Sequence, residues 1–151
     1  MTDIVPSDHP YYLLSRTTLI ITSAFRKGLT SAGITHVKPA YLGVLIALWQ
    51  EDGLKVIELG RRSGLEPSSM TGLLDRMERD GLAFRSADPN DRRSQLIYLT
   101  DEGRNVKKAV LDVVDEVMGE IFRDISSDDL GNAMKVLQQI ISNAGSRSNG
   151  F

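Results

Sequence analysis

The sequence predicts a mainly α-helical fold: a winged helix-turn-helix framed by long terminal helices that form a dimerisation region. Three observations predict it. Met70, Leu73, Leu74 and Met77 recur at i, i+3, i+4 and i+7 directly after Glu66-Pro67-Ser68-Ser69, the stripe and start of an amphipathic helix. Two short β-type runs, 82–86 and 95–99, flank a polar loop that ends in Asp91-Arg92-Arg93. Apolar seams then run through 106–121 and 130–144, and carry more apolar surface than a small winged domain can cover.

Taken in order, 1–10 reads as a lead-in and 11–29 as a helix. Its consecutive Leu19, Ile20 and Ile21 call for cover on more than one side. Gly33 breaks the chain. A second helix over 39–50 starts at Pro39 and closes at the turn Glu51-Asp52-Gly53. A short helix over 56–63 stops at Gly64, and the striped helix from Pro67 ends at Gly81. In the second β run, Ile97 and Leu99 share a face. Thr100 then caps one long helix, with Asp101 and Glu102 in the first turn where the dipole favours anions, and Val106, Val110, Val113, Val117 and Ile121 along its seam. Ser126 and Asp129 fit a capping-box-like start for the last helix. Its seam of Leu130, Met134, Leu137, Ile141 and Ala144 alternates by four and three. The tail 145–151 is rich in Ser, Gly and Asn and is expected to fray. The expected organisation is one domain over 1–151, with the winged helix-turn-helix at 55–99 and dimerisation helices at 9–34 and 100–145.

Composition narrows the function classes. An apolar share of 41% and a charged share of 25% give a chain of 151 residues material for a real core. The absence of cysteine excludes disulfides, thiol sensing and thiolate metal sites. His9 and His36 alone cannot build a histidine-rich metal cluster, and no cofactor is expected. The longest apolar run, 40–49, is too short to span a bilayer, and the first residues lack a basic segment followed by an apolar core; a cytoplasmic protein without a membrane partner is expected. Enzyme chemistry finds no support: Ser68 and Ser69 have no nearby His and Asp in a nucleophile pattern, and the scattered glycines form no phosphate loop. Met118 and Met134 read as core fill.

The face of the striped helix opposite its apolar side shows Ser68, Ser69, Thr71, Gly72, Asp75, Arg76 and Arg79. Small hydroxyl side chains at a helix start can touch base edges and phosphates, and Arg76 and Arg79 can reach the DNA backbone. A merely solvated face explains the same residues, and the hairpin tips the balance. Arg92 and Arg93 on a narrow projection suit a minor groove, with Asp91 expected to hold the Arg93 guanidinium by a bidentate pair. Charge agrees in sign only: 55–95 carries eight Lys/Arg against seven Asp/Glu in a chain of net charge −2. Winged helices also serve as docking surfaces, so a protein-interaction module is the rival reading.

Asp88-Pro89-Asn90-Asp91-Arg92-Arg93, followed by Leu99-Thr100-Asp101-Glu102-Gly103-Arg104, resembles the wing and following helix start of the MarR (multiple-antibiotic-resistance regulator) family. Leu59, Gly64, Pro67-Ser68-Ser69 and Leu74-Asp75-Arg76-Met77-Glu78 are similar to that family's two reading helices. The resemblance implies a cytoplasmic homodimer on a pseudo-palindromic duplex, acting as a repressor released by a small molecule. It implies Arg93 as the minor-groove residue with Asp91 in support, and Pro67, Ser68, Ser69, Thr71 and Gly72 at the major groove, with Arg76 and Arg92 beside them. Two positions depart from the family: Glu66 stands where Ser or Thr is common, and Gly72 where Arg is common. The resemblance also implies a crevice for a small aromatic or anionic effector, for which Tyr12, Arg16, His36, Tyr41 and Trp49 are the candidates.

Overall fold

The computed structural model describes residues 6–147. Helix α1 (Pro10–Ser31) starts with Pro10 at its first position and His9 as cap, whose Nδ1 accepts from the Tyr11 amide at 3.1 Å. Pro39–Tyr41 forms a 3₁₀ turn that leads into α2 (Leu42–Gln50). The central order is then β1 (Leu54–Lys55), α3 (Val56–Ser63), α4 (Pro67–Arg79), β2 (Ala83–Asp88) and β3 (Asp91–Leu99). Helices α5 (Asp101–Asn105), α6 (Lys107–Ile121) and α7 (Ser127–Arg147) follow. The strands form one antiparallel sheet in the order β1-β3-β2. The chain divides between residues 117 and 118 into two compact units.

In the first unit, the stripe of α4 (Met70, Leu73, Leu74, Met77) is buried, as the spacing predicts. It shares a core with Val44, Leu45 and Leu48 of α2, Leu59 of α3, and Ile97 and Leu99 of β3. Helix α1 enters through Phe25 and Leu29. At Gly28 it lies so close to α6 that a Cβ would come within 2.8 Å of Val113 and 3.2 Å of Val117. Its first half stays uncovered: Tyr11, Leu13, Leu19 and Ile20 are about half exposed or more. The second unit has its own uncovered seam on α7, where Met134, Leu137 and Ile141 are exposed. Met134 is therefore not core fill. The Ser126 hydroxyl accepts from the Asp129 amide at 3.1 Å, the half of a capping box that was expected.

Three elements differ from expectation. The single long helix after Thr100 is two, separated at Val106, although the Val106 amide reaches Glu102 and the Val110 amide reaches Val106 at 3.0 Å each. The short strand β1 was not foreseen: Leu54 and Lys55 are too few for a period to show, and pairing with Ile97 and Leu96 creates the strand. The hairpin strands are longer than 82–86 and 95–99, and leave Pro89-Asn90 as the turn.

Tyr41 is buried and its hydroxyl donates to Asp80 at 2.6 Å, tying the entry to α2 to the end of α4. Burial, with the Asp80 carboxylate beside it, raises the Tyr41 hydroxyl, and this hydrogen bond holds Asp80 below the ordinary carboxylate range. Tyr41→Phe is expected to lower stability at neutral pH by about 1.5–3 kcal/mol, the range for a hydrogen bond to a charged group. Because the folded pKa of Asp80 lies below its unfolded value, the contribution is present above the unfolded value and is lost as pH falls through the folded one. Urea denaturation at fixed protein concentration should therefore show the gap between Tyr41→Phe and the parent narrowing below roughly pH 4.

Candidate nucleic-acid interface

A left-handed turn and a close fit place α4. Gly64 ends α3 in the left-handed region (φ 72°), and the Leu65 amide turns back to Gly60 at 3.0 Å. At Gly60 a Cβ would come within 3.2 Å of the Leu65 carbonyl and 3.4 Å of Met70, so the α3–α4 crossing depends on glycine there. Glu66 caps α4 in extended backbone but makes no side-chain cap bond, in keeping with Glu standing where a hydroxyl residue would cap better. With the stripe buried, Pro67, Ser68, Ser69, Thr71, Asp75, Arg76 and Arg79 face solvent and Gly72 is half-buried among them.

Several acids of this region are engaged by neighbouring arginines, of which Arg85 is largely covered and Arg61 and Arg62 are on the surface. Arg85 of β2 holds Glu78 through its guanidinium at 2.6 Å and through its own amide at 2.7 Å. It also reaches Asp75 at 2.9 Å and the Thr71 carbonyl at 3.3 Å. This clasp fastens the hairpin to the reading helix. Sequence reasoning missed Arg85. Its signal was an arginine in register with the inward residues Ala83, Ile97 and Leu99, after acids at 75 and 78 on the preceding helix. On α3, Glu58 is held by Arg61 and Arg62, which bring its carboxyl down to about 2. Arg62 also pairs with Glu51 at 2.6 Å.

The hairpin turn is built from its aspartates. Asp88, buried, accepts from the Asn90 amide at 2.9 Å and lies 3.7 Å from Lys55, beside a register shift between Ala87 and Asp88. Asp91 accepts from the Arg93 amide at 2.9 Å rather than pairing with the Arg93 guanidinium. A carboxylate two residues ahead closes an Asx turn more readily than it reaches a long side chain. Arg92 and Arg93 are thus not the tip but the first turns of the pleat in β3, directed to opposite faces of the ribbon. Both are exposed, and among the described residues neither guanidinium has a hydrogen bond or ion pair.

The hairpin returns through Leu99-Thr100. Thr100 accepts from the Gly103 amide at 3.0 Å and donates to the Gly81 carbonyl at 2.6 Å; its amide bonds Leu82 at 3.0 Å. A Cβ on Gly103 would stand 2.1 Å from the Leu82 carbonyl oxygen, so only glycine fits. Asp52 accepts from the amides of Gly53 and Leu99 at 3.1 and 2.9 Å and lies 3.7 Å from Arg104.

The five effector candidates scatter. Tyr41 is buried and committed to Asp80, so it belongs to the core and not to a pocket wall. Trp49 donates to the Gly103 carbonyl at 2.9 Å, and His36 bonds Glu102 at 2.8 Å, so both meet the start of α5. Tyr12 and Arg16 are exposed on α1. Trp49, alone of the five, lines a cavity of about 260 Å³ with Leu48, Asp52, Leu99, Arg104 and Lys107. Among the described residues no helix is long and apolar enough to cross a membrane.

The pattern of the MarR family matches residues 39–95, from the 3₁₀ turn through the hairpin. The chain is 43% identical over 84 residues to the HTH-type transcriptional regulator TtmR of Methylorubrum extorquens, a match that covers 56% of this chain and 42% of that protein's length. It is 32% identical over 108 residues to the organic hydroperoxide resistance transcriptional regulator of Bacillus subtilis, covering 72% of this chain and 71% of that one. Its fold superimposes on a transcriptional regulator (MarR family) from Rhodococcus sp. RHA1 with a TM-score of 0.79 at 30% identity, covering 93% and 96% of the two chains. CouR of Rhodococcus jostii RHA1, solved with p-coumaroyl-CoA, gives 0.76 at 28% identity, covering 91% and 94%.

Proposed function

Because this chain belongs to the MarR family of transcriptional regulators, we propose that it binds a pseudo-palindromic DNA operator as a homodimer and acts as a repressor released by a small molecule. The observation that carries this reading is the pair of exposed, unpaired arginines on a hairpin clasped to an exposed reading helix. A docking module has no use for two unneutralised guanidiniums at that place. The work is binding rather than catalysis, on duplex DNA in the cytoplasm. Pro67, Ser68, Ser69, Thr71 and Gly72 face the major groove. Arg93 enters the minor groove, with Asp91 shaping the turn that aims it, and Arg92 addresses the backbone from the other face of the ribbon. Arg93→Ala is expected to weaken operator binding by roughly 1–3 kcal/mol and to lower the salt slope by about one unit. Fluorescence anisotropy across a salt series checks this; unchanged affinity and slope in a folded variant would remove Arg93 from the interface.

Dimerisation is proposed on separate grounds. The first half of α1 and the seam of α7 are each apolar and uncovered, which a lone protomer in water does not tolerate over so many side chains. Two-fold symmetry would also match a pseudo-palindrome with half-sites about one helical turn, roughly 10 bp, apart or a multiple of that. Sedimentation should find a dimer throughout the micromolar range, and a stable folded monomer there would overturn the assignment.

The effector is proposed to be an aromatic carboxylate or its acyl thioester. CouR was solved with such a thioester, and this chain offers Tyr12 and Arg16 one turn apart on an exposed helix face. Trp49 and His36, both hydrogen-bonded to the start of α5, are proposed as the inner side of the recognition system, with Arg104 and Lys107 outweighing Asp52 in the charge of the Trp49 cavity. Titrating aromatic acids and their thioesters into the protein–operator complex should release DNA, and Arg16→Ala should weaken that response. Equal release by the variant would exclude Arg16.

A further inference from the structure

The face of α4 holds one arrangement that the general reading does not use. At roughly 100° per residue, Gly72 falls nearly opposite the buried stripe, in the middle of the face a groove-bound helix turns to the bases. Side chains on a helix lean toward its N-terminus, so a long residue at 76 reaches back over position 72. Arg76 does so: its guanidinium nitrogen lies 3.4 Å from where a Cβ on Gly72 would stand. The missing side chain makes a shallow floor, and the guanidinium lies over it.

Nothing else on the helix claims that charge. Among the described residues the Arg76 guanidinium has no hydrogen bond or ion pair. The acid one turn on, Asp80, is held by Tyr41 and Arg79, and the acids nearest in sequence, Asp75 and Glu78, are held by Arg85 from the hairpin side. Arg79, one turn nearer the C-terminus, lies 3.3 Å from Asp80. An exposed arginine at the flank of a reading helix ordinarily addresses a phosphate. Here the glycine lets it shift from the flank to the centre, where five donors in a fixed fork match the O6 and N7 acceptors of guanine.

We propose that Arg76, seated over Gly72, is the specificity-determining residue of the reading helix and recognises a guanine in each operator half-site. The proposal rests on the DNA-binding reading above, and the experiment separates the two. Duplexes are first selected from a random pool by the full-length parent protein. Anisotropy then compares the parent and Arg76→Ala on the selected operator and on copies in which single guanines are replaced by 7-deazaguanine, which lacks N7. One guanine per half-site should matter to the parent, with a loss toward the lower end of the roughly 5- to 150-fold span for a whole arginine–guanine pair, since O6 remains. The same replacement should leave Arg76→Ala no worse. Gly72→Ala should keep the preference, since its methyl meets the guanidinium at ordinary contact distance. Gly72→Leu, which fills the floor, should shift the selected sequences as Arg76→Ala does. Arg76 is exposed, so circular dichroism should find both Arg76→Ala and Gly72→Ala folded. If Arg76→Ala weakens every duplex by one common factor and lowers the salt slope by about one, Arg76 is a phosphate contact and the proposal falls. An unchanged selection profile overturns it as well. A parent protein that enriches no duplex removes the DNA-binding reading itself, and this proposal with it.

Discussion

The contact of Gly103 with the Leu82 carbonyl is the constraint on which the winged region depends. At 2.1 Å from that oxygen there is no room for any side chain, so the start of α5 and the end of the α4–β2 turn are pressed backbone to backbone. Thr100 closes the same joint three ways, with its amide on Leu82, its hydroxyl on Gly81 and its oxygen on the Gly103 amide. Trp49 binds the Gly103 carbonyl and Asp52 the Leu99 amide. The last turn of α2, the hairpin and the helix that follows thus share one junction in which nearly every backbone group is accounted for. A substitution at Gly103 would not be absorbed locally, because the group it meets first is the Leu82 backbone carbonyl, itself bonded to the Thr100 amide. The motif Leu99-Thr100-Asp101-Glu102-Gly103-Arg104 is therefore a structural joint.

From that joint the electrostatics of the reading surface follow. An acidic chain presents a cationic surface where its carboxylates are paired or lie elsewhere in the chain. Arg85 engages Asp75 and Glu78, and Arg61 with Arg62 engages Glu58. What is left over on the outside is Arg76, Arg92 and Arg93. These pairs are partly exposed and contribute modest stability each. Their larger consequence is where charge is left unpaired. The nearly balanced charge count of 55–95 understates the surface, since a count does not distinguish a free acid from one paired with a neighbouring arginine.

The comparison of sequence with structure divides along physical lines. Periodic features were legible: the α4 stripe is buried residue for residue, and the glycine after α3 and the threonine before α5 end and start those helices as their chemistry dictates. Features made by tertiary contact were not. Strand β1 exists because β3 lies beside it, and the break at Val106 has no proline or glycine to announce it. The hairpin tip was misplaced because Arg92 and Arg93 were read as loop from their polarity. Exposed strand residues are polar too, and the Asx turns of Asp88 and Asp91 confine the loop to Pro89-Asn90. The family resemblance puts Tyr41 among the pocket candidates; only the fold reveals that its hydroxyl ends on Asp80, 39 residues away.

The joint also bears on how occupancy of a small cavity can be felt at the DNA surface. Trp49, Asp52, Leu99 and Arg104 line the cavity, and three of them take part in the joint through Gly103 and the Leu99 amide. A ligand there would press on the groups that set the angle of hairpin and reading helix. Pressure alone accomplishes nothing: a ligand shifts the population only by its difference in affinity between the two states. The joint supplies a source for that difference. Its bonds share partners, so it tolerates discrete rearrangement better than gradual strain. The Trp49 indole is a natural place for such a rearrangement, because a carboxylate could replace the Gly103 carbonyl as its acceptor. The freed carbonyl would then need a new donor, and that requirement moves α5 rather than the ligand alone. If the proposed effector occupies this cavity, its coupling to DNA would run through that exchanged hydrogen bond, at a backbone contact where no side chain can act as a spacer.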